Sequence, residues 1–378
     1  KATIGALKDL GVKINIRENA IELHGVGLHG LKASQGPIYC GNSGTTARLL
    51  VGILAGQKFD SVLRGDESLS KRPMKRLADL LEGMSAEIDF PKGEGLPVHI
   101  HGKPLQGKDI SLPVVSAQIK SALLLAGLYA EGITNVIEAT PTRDHTERML
   151  KAFGASVGFD LPKRFTYELP GDISSAAFLI VVAILCKQNI TLANVGLNPT
   201  RKRFLDIMIA CGLQVSLPHN VIEHGEERAT LEIAGSSFLG FNGYTFTRED
   251  IALCIDEIPA MAVLAAFFDG KTLFRNANEL RRKESDRISS IAENLMRAGV
   301  GVEEFDDGFS VLGCNERQIG SCVLDSFGDH RIAMAVSVLA LRAREAVTIR
   351  NAEVVSISFP NFFHELVRIV GKERIIKA

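Results

Sequence analysis

Apolar positions along this chain recur in one arrangement: a stretch with helical period ends at or near a glycine, and a short stretch with β-branched positions comes next. The arrangement is found at 4–14, 74–88, 147–157, 204–215, 288–302 and 362–375, with junction glycines Gly11, Gly83, Gly154, Gly212, Gly299 and Gly371. These glycines return every roughly 60 to 90 residues, about twice the period of common solenoid repeats, which predicts six copies of a larger repeat. Strand character between the copies lies at 22–23, 98–100, 133–137, 190–192, 231–233 and 347–349, and second helices are predicted at 45–55, 118–130, 174–185, 259–268 and 329–342. The repeat is then approximately βαβαββ. Six repeats divide three and three at Leu169-Pro170-Gly171-Asp172, where a polar breaker precedes a new apolar helix. The expected organisation is a mixed α/β (α+β) chain of two domains, 1–169 and 170–378.

Composition narrows the function. Lys plus Arg total 43 against 44 Asp plus Glu, so no global field draws the chain to nucleic acid or to a membrane surface. Any bound anion has to be held by local clusters. The six cysteines show no CxxC or Cys/His zinc spacing, which predicts buried thiols in a reducing, cytoplasmic compartment. The longest apolar run, 176–186, is too short to span a bilayer. No signal or transit peptide is visible, and the chain opens inside an amphipathic stretch at 4–10, so its true start is expected upstream of Lys1.

Candidate chemistry sits where loops run into apolar helices. Lys283-Glu284-Ser285-Asp286-Arg287 and Asp329-His330-Arg331 pack cations and carboxylates together at predicted helix starts, the layout of a pocket for an anionic substrate. Cys40-Gly41-Asn42-Ser43-Gly44-Thr45-Thr46-Ala47-Arg48 is a glycine-rich lead-in whose amides and hydroxyls suit an anion, though a plain turn before a helix fits it as well. It is not a Walker motif, because no Gly-Lys-Ser/Thr comes after it. Lys71 and Arg72 precede Pro73, which places Arg72 beside a helix N-terminus or in a solvated basic turn.

Ser116, ahead of Ala117 and Gln118, reads as an N-cap, and Thr142-Arg143-Asp144-His145-Thr146 supplies a cation at another helix start. Gly171-Asp172-Ile173-Ser174-Ser175 repeats the pattern. Asp256-Glu257 precedes Pro259, and its carboxylate is either a cap or a positioned general base. His145 and His330 each lie beside Asp and Arg but belong to no close-spaced ligand set; hydrogen-bonded structural imidazoles are expected, and no metal is implied.

Taken in order over essentially the whole chain, the stretches at Gly41 to Arg48, Gly65 to Pro73, Ser116-Ala117-Gln118, Thr142 to Thr146, Gly171 to Ser175, Lys283 to Arg287 and Asp329 to Arg331 closely resemble the enolpyruvyl transferases. Within that family they resemble the members acting on shikimate 3-phosphate, in the branch often called class II. The resemblance implies the enolpyruvyl transferase fold, an inside-out α/β barrel of two domains with three βαβαββ repeats each, closing over a cleft. It implies transfer of the enolpyruvyl group of phosphoenolpyruvate to the 5-hydroxyl of shikimate 3-phosphate with release of phosphate, by a monomer, without metal or organic cofactor.

By position, Ser116, Gln118, Arg143, Asp256 and Lys283 are implied to hold shikimate 3-phosphate, with Thr45 and Arg48 shaping the site. Gly44, Arg72, Gln118, Arg287 and Arg331 are implied to meet phosphoenolpyruvate, a task that suits bidentate guanidinium groups. Asp256 would take the proton from the 5-hydroxyl, and Glu284 would carry protons at the methylene carbon. Gly44 stands where tolerant class II members can carry Ala, so sensitivity to glyphosate is expected.

Two departures qualify the resemblance. The family opens with a Lys-Ser stretch and a subsequent Arg that this sequence lacks, starting roughly 50 residues too late for a complete first repeat; a protein starting at Lys1 is therefore expected to be inactive and marginally stable. Ile357 stands where some members carry a lysine, which class II members often lack.

Three rivals remain at this level. A UDP-N-acetylglucosamine enolpyruvyl transferase usually carries a cysteine before the Arg-Pro pair, and Asp66 to Lys71 contains none. An RNA 3'-phosphate cyclase-like protein should show nucleic-acid electrostatics. A non-catalytic fragment that only binds shikimate phosphates is the third.

Overall fold

The helical stretches differ in how much of their circumference is apolar, and that difference decides where each lies. Ile173–Cys186 and Ile258–Ala265 are apolar on nearly every side, which suits only a core position. Lys75–Glu82, Arg287–Arg297 and Phe362–Val370 are amphipathic and lie half-covered. In a computed structural model that describes residues 2–18, 20–155 and 166–375, the chain divides into two compact units, Lys1–Glu147 and Arg148–Ala378.

Among the described residues the βαβαββ repeat is seen in full twice. In the N-terminal unit it comprises, in chain order, strand Ile38–Tyr39, helix Gly44–Ala55, strand Ser61–Arg64, helix Lys75–Glu82 and strands Glu87–Asp89 and Val98–His101. The first strand runs parallel to the second, which pairs antiparallel with the fourth, which pairs antiparallel with the third. The C-terminal unit repeats this order with strands Thr245–Phe246, Gly270–Phe274, Gly301–Phe305 and Gly308–Gly313 around helices Ile258–Ala265 and Arg287–Arg297. Parallel neighbours require a crossover, and the helix supplies it; the antiparallel pair needs only a tight turn.

Partial copies surround these. Asp109–Ser111 and Asn135–Ile137 are parallel across helix Ala117–Gly127, and Cys322–Asp325 and Val347–Arg350 are parallel across helix His330–Ala340.

In the N-terminal unit, helices Gly44–Ala55 and Ala117–Gly127 touch backbone to backbone. A methyl on Gly52 would lie 2.2 Å from the carbonyl oxygen of Ala122, so only glycine fits there. In the C-terminal unit, helices Ile173–Cys186, Ile258–Ala265 and His330–Ala340 pack on one another at the centre of the core. These contacts gather helix starts, and the candidate residues stand on those starts.

Five of the six junction glycines take positive φ; Gly83 does not, and Ser85 turns left-handed two residues later (φ 72°). The strand expected after Gly154 lies outside the described residues. After Gly371 the described residues form a 3₁₀ turn, Lys372–Arg374, where a strand was expected. Three successive charged residues leave no apolar alternation to bury there. The thiols are also less uniformly buried than expected: Cys40 and Cys254 are buried, and Cys314 is exposed. Among the described residues no helix is long and apolar enough to cross a membrane.

Candidate active site

In the N-terminal unit, Ser43 caps helix Gly44–Ala55 by accepting from the amide of Thr46 at 3.2 Å, and Ser116 caps Ala117–Gly127 by accepting from Ile119 at 3.4 Å. Gln118, in the first turn of the second helix, ties the two starts together. Its Nε2 donates to Thr45 Oγ1 at 2.8 Å, and its Oε1 accepts from Arg48 Nη1 at 2.6 Å. Arg72 is buried beneath this junction and donates to the Asn42 carbonyl at 3.4 Å and to Ser68 Oγ at 3.3 Å. Asn42 is itself fixed by donating to Asp66 at 2.7 Å.

Ser116, Gln118, Arg48, Arg72 and Gly44 therefore belong to one connected cluster. Arg143 is half-buried on the segment that leads into helix His145–Ala152.

The C-terminal unit builds a second cluster around Arg287. This guanidinium is 1% exposed and contacts three carboxylates: Asp329 Oδ2 at 2.7 Å from Nε, Asp256 Oδ1 at 3.2 Å from Nη1, and Glu284 Oε2 from Nη2. Burial opposes the Arg287 charge, but Asp329, Glu284 and Asp256 together outweigh it and raise its pKa. Arg331 meets Asp256 twice, at 3.1 Å to its carbonyl and 3.4 Å to its carboxylate.

Asp256, Glu284, Arg287 and Arg331 are thus brought together, with Lys283 half-buried next to Glu284. Asp286 and Asp329 are the N-caps of Arg287–Arg297 and His330–Ala340.

Sequence reasoning left two details open and missed others. Asp256 is paired with arginines and is not a cap. Glu257, the residue before helix Ile258–Ala265, makes no cap hydrogen bond either; it is fully buried and accepts from Ser174 and from Arg201 at 3.2 Å.

His330 departs from the expected hydrogen-bonded imidazole. Among the described residues its Nδ1 finds no hydrogen-bond partner, lying 4.0 Å from Asp329. Burial first, then the neighbouring Arg331 charge, lowers its pKa to about 4, so the ring is neutral near pH 7. Neither Lys120 nor Arg201 was singled out in the sequence. The signal for Lys120 was a cation inside the apolar run 119–126.

Repeated βαβαββ units with carboxylates and cations gathered at helix starts agree with the architecture that the resemblance implies. Comparison with known proteins narrows this further. The family EPSP synthase (3-phosphoshikimate 1-carboxyvinyltransferase) matches residues 1–366. The 3-phosphoshikimate 1-carboxyvinyltransferase of Nitrosococcus oceani is 43% identical over 374 residues, 96% of this chain and 83% of that protein. The protein of the same name from Pelobacter propionicus is 44% identical over 382 residues, 97% of this chain and 87% of its own length. A solved EPSP synthase from Acinetobacter baumannii superposes with a TM-score of 0.81 at 41% identity, covering 97% of this chain and 86% of that one. The chain belongs to the EPSP synthase family, with its two-domain mixed α/β fold.

Proposed function

We infer that this protein transfers the enolpyruvyl group of phosphoenolpyruvate to the 5-hydroxyl of shikimate 3-phosphate, giving 5-enolpyruvylshikimate 3-phosphate and phosphate. Family membership and relatives named for this reaction support it, and they do not favour UDP-N-acetylglucosamine as the acceptor. The observation that carries the chemistry is the sharing of Arg287 by Asp256 and Glu284. One buried cation holds two carboxylates side by side, and the reaction needs two proton carriers.

In this reading Asp256 removes the 5-hydroxyl proton as the oxygen bonds to C2 of phosphoenolpyruvate, and Glu284 delivers a proton to the methylene carbon. The tetrahedral adduct then loses phosphate. Glu284 takes a methyl proton back, restoring the double bond. Arg331, Arg287 and Arg72 supply positive charge for the phosphate and carboxylate of phosphoenolpyruvate, whose developing charge preorganised donors stabilise. Gly44 leaves the bare backbone beside Arg72, and Gln118 aligns the adjoining helix starts. Ser116, Gln118, Arg143 and Lys283 hold shikimate 3-phosphate.

The division at 169/170 belongs to the same proposal and is supported by Gly171, which bridges to Val195 of strand Asn189–Gly196 and so pairs within the second domain. We further propose a cytoplasmic monomer without nucleic-acid or membrane partners, a reading supported by the near-zero net charge and by free cysteines.

The test is a phosphorus NMR assay with phosphoenolpyruvate and either shikimate 3-phosphate or UDP-N-acetylglucosamine. Phosphate release with the first acceptor only, abolished in Asp256→Ala, is expected. Turnover with the sugar nucleotide alone would reverse the assignment.

A further inference from the structure

A buried lysine in the N-terminal unit has no part in the chemistry above. Lys120 stands on the helix Ala117–Gly127, one turn beyond Ser116, and its side chain is 4% exposed. An ammonium group has three N–H donors. Those of Lys120 go to Glu138 Oε2 at 2.7 Å, Glu147 Oε1 at 2.7 Å and the carbonyl of Thr142 at 3.5 Å. Glu138 in turn accepts from the amide of Thr142 at 3.4 Å and from its hydroxyl. Thr146 Oγ1 lies 2.7 Å from Ser121 Oγ, a further tie between the same segment and the same helix.

The three partners of Lys120 lie on one segment, and Arg143 lies in the chain between Thr142 and Glu147. A charge this deeply buried is held only if its partners stay in place, because each unpaired member would carry a large desolvation cost.

We infer that Lys120 is a positioning residue for shikimate 3-phosphate: it clamps segment 138–147 to the helix that carries Ser116 and Gln118, and so sets Arg143 relative to both. This rests on the reading that Arg143 contacts shikimate 3-phosphate. Lysine suits the task because the three donors of its single nitrogen diverge from one point towards three nearby acceptors.

The experiment is a double-mutant cycle on the full-length enzyme, with the Kd for shikimate 3-phosphate measured by calorimetry in Lys120→Met, Arg143→Ala and the double variant. Lys120→Met is expected to weaken binding about tenfold, and to change it less than about twofold once Arg143 is gone, the non-additivity of residues acting through one another. The KM for shikimate 3-phosphate should rise by a similar factor while kcat at saturation falls less than about threefold.

Glu147→Gln removes one anchor and keeps the ammonium, so it should give a smaller loss in the same direction if Lys120→Met does not fold. Additive losses in the cycle, or unchanged affinity in both Lys120→Met and Glu147→Gln, would overturn the inference. Unchanged affinity in Arg143→Ala alone would instead overturn the placement of Arg143 on which it rests.

Discussion

Arg287 donates to Asp256 at 3.2 Å while Arg331 approaches the other oxygen of the same carboxylate at 3.4 Å, so the proposed base is gripped by two guanidinium groups. This arrangement has two consequences. It places two cations beside the carboxylate, and it fixes the direction in which the carboxylate points. Arg287 also holds Glu284 and Asp329.

Removal of Arg287 therefore has a stability cost and a catalytic one. Arg287→Met leaves buried carboxylates without their partner and should destabilise the protein by roughly 3–5 kcal/mol. Arg287→Lys restores one charge but cannot reach three acids at once, so it should recover part of the melting temperature while kcat/KM stays at least about 100-fold down. Thermal melts beside steady-state kinetics separate the two effects. A lysine variant with wild-type turnover would show that the fork geometry is unimportant.

Gly44 gives a steric prediction. A methyl at this position would lie 2.7 Å from Arg48 Nη1 and 3.4 Å from Arg72 Nη1. Arg48 cannot simply swing away, because the same nitrogen donates to Gln118 at 2.6 Å. Gly44→Ala should raise the inhibition constant for glyphosate about tenfold or more, the scale on which one methyl group changes a fitted pocket. The KM for phosphoenolpyruvate should rise by a smaller factor. An unchanged inhibition constant would refute the steric argument.

The helix starts at Ser116, Asp286 and Asp329 were legible in the sequence because a cap and the amide it serves lie two or three residues apart. The repeat was legible for a related reason: its period is carried by local apolar spacing and junction glycines. What joins the starts was not. Asp256 meets Arg287 across 31 residues and Arg331 across 75, and Ser174 meets Glu257 across 83. No local pattern encodes such distances, so the residues of the second cluster could be grouped only by resemblance. The choice between cap and base for Asp256-Glu257 stayed open for the same reason, since the partners of both residues are remote.

His330 makes the stability of the C-terminal unit pH-dependent. Its folded pKa is lowered to about 4 from the ordinary 6.5, mainly by burial. Below pH 6.5 the unfolded chain binds a proton that the folded one does not. The stability due to the neutral ring is thus present above pH 6.5 and lost as pH falls towards 4, by about 1.4 kcal/mol per pH unit. Urea denaturation at pH 7 and pH 5 should show a smaller acid loss for His330→Gln than for wild type. Equal losses would mean that the ring is protonated or solvated in the folded state.

The pair Arg201–Glu257 lies directly behind the proposed base. Glu257 is fully buried, accepts from Arg201 at 3.2 Å and from Ser174, and its Oε2 has no hydrogen-bond partner among the described residues. An apolar pair of similar volume would meet no such desolvation cost, so stability alone does not account for these charges. Their other effect is to hold the turn at 256–257, whose first residue faces the arginines and whose second faces Ser174. Glu257→Gln removes the buried one of the two carboxylates beside Arg201, with Asp172 remaining at 3.6 Å, and should cost roughly 3 kcal/mol. The double variant Arg201→Met with Glu257→Leu should recover stability to within about 2 kcal/mol of wild type, because neither charge is then buried alone. Its kcat should nevertheless stay well below that of wild type, with the turn no longer held in place. Recovery of both stability and kcat would show that the pair contributes nothing to the orientation of Asp256.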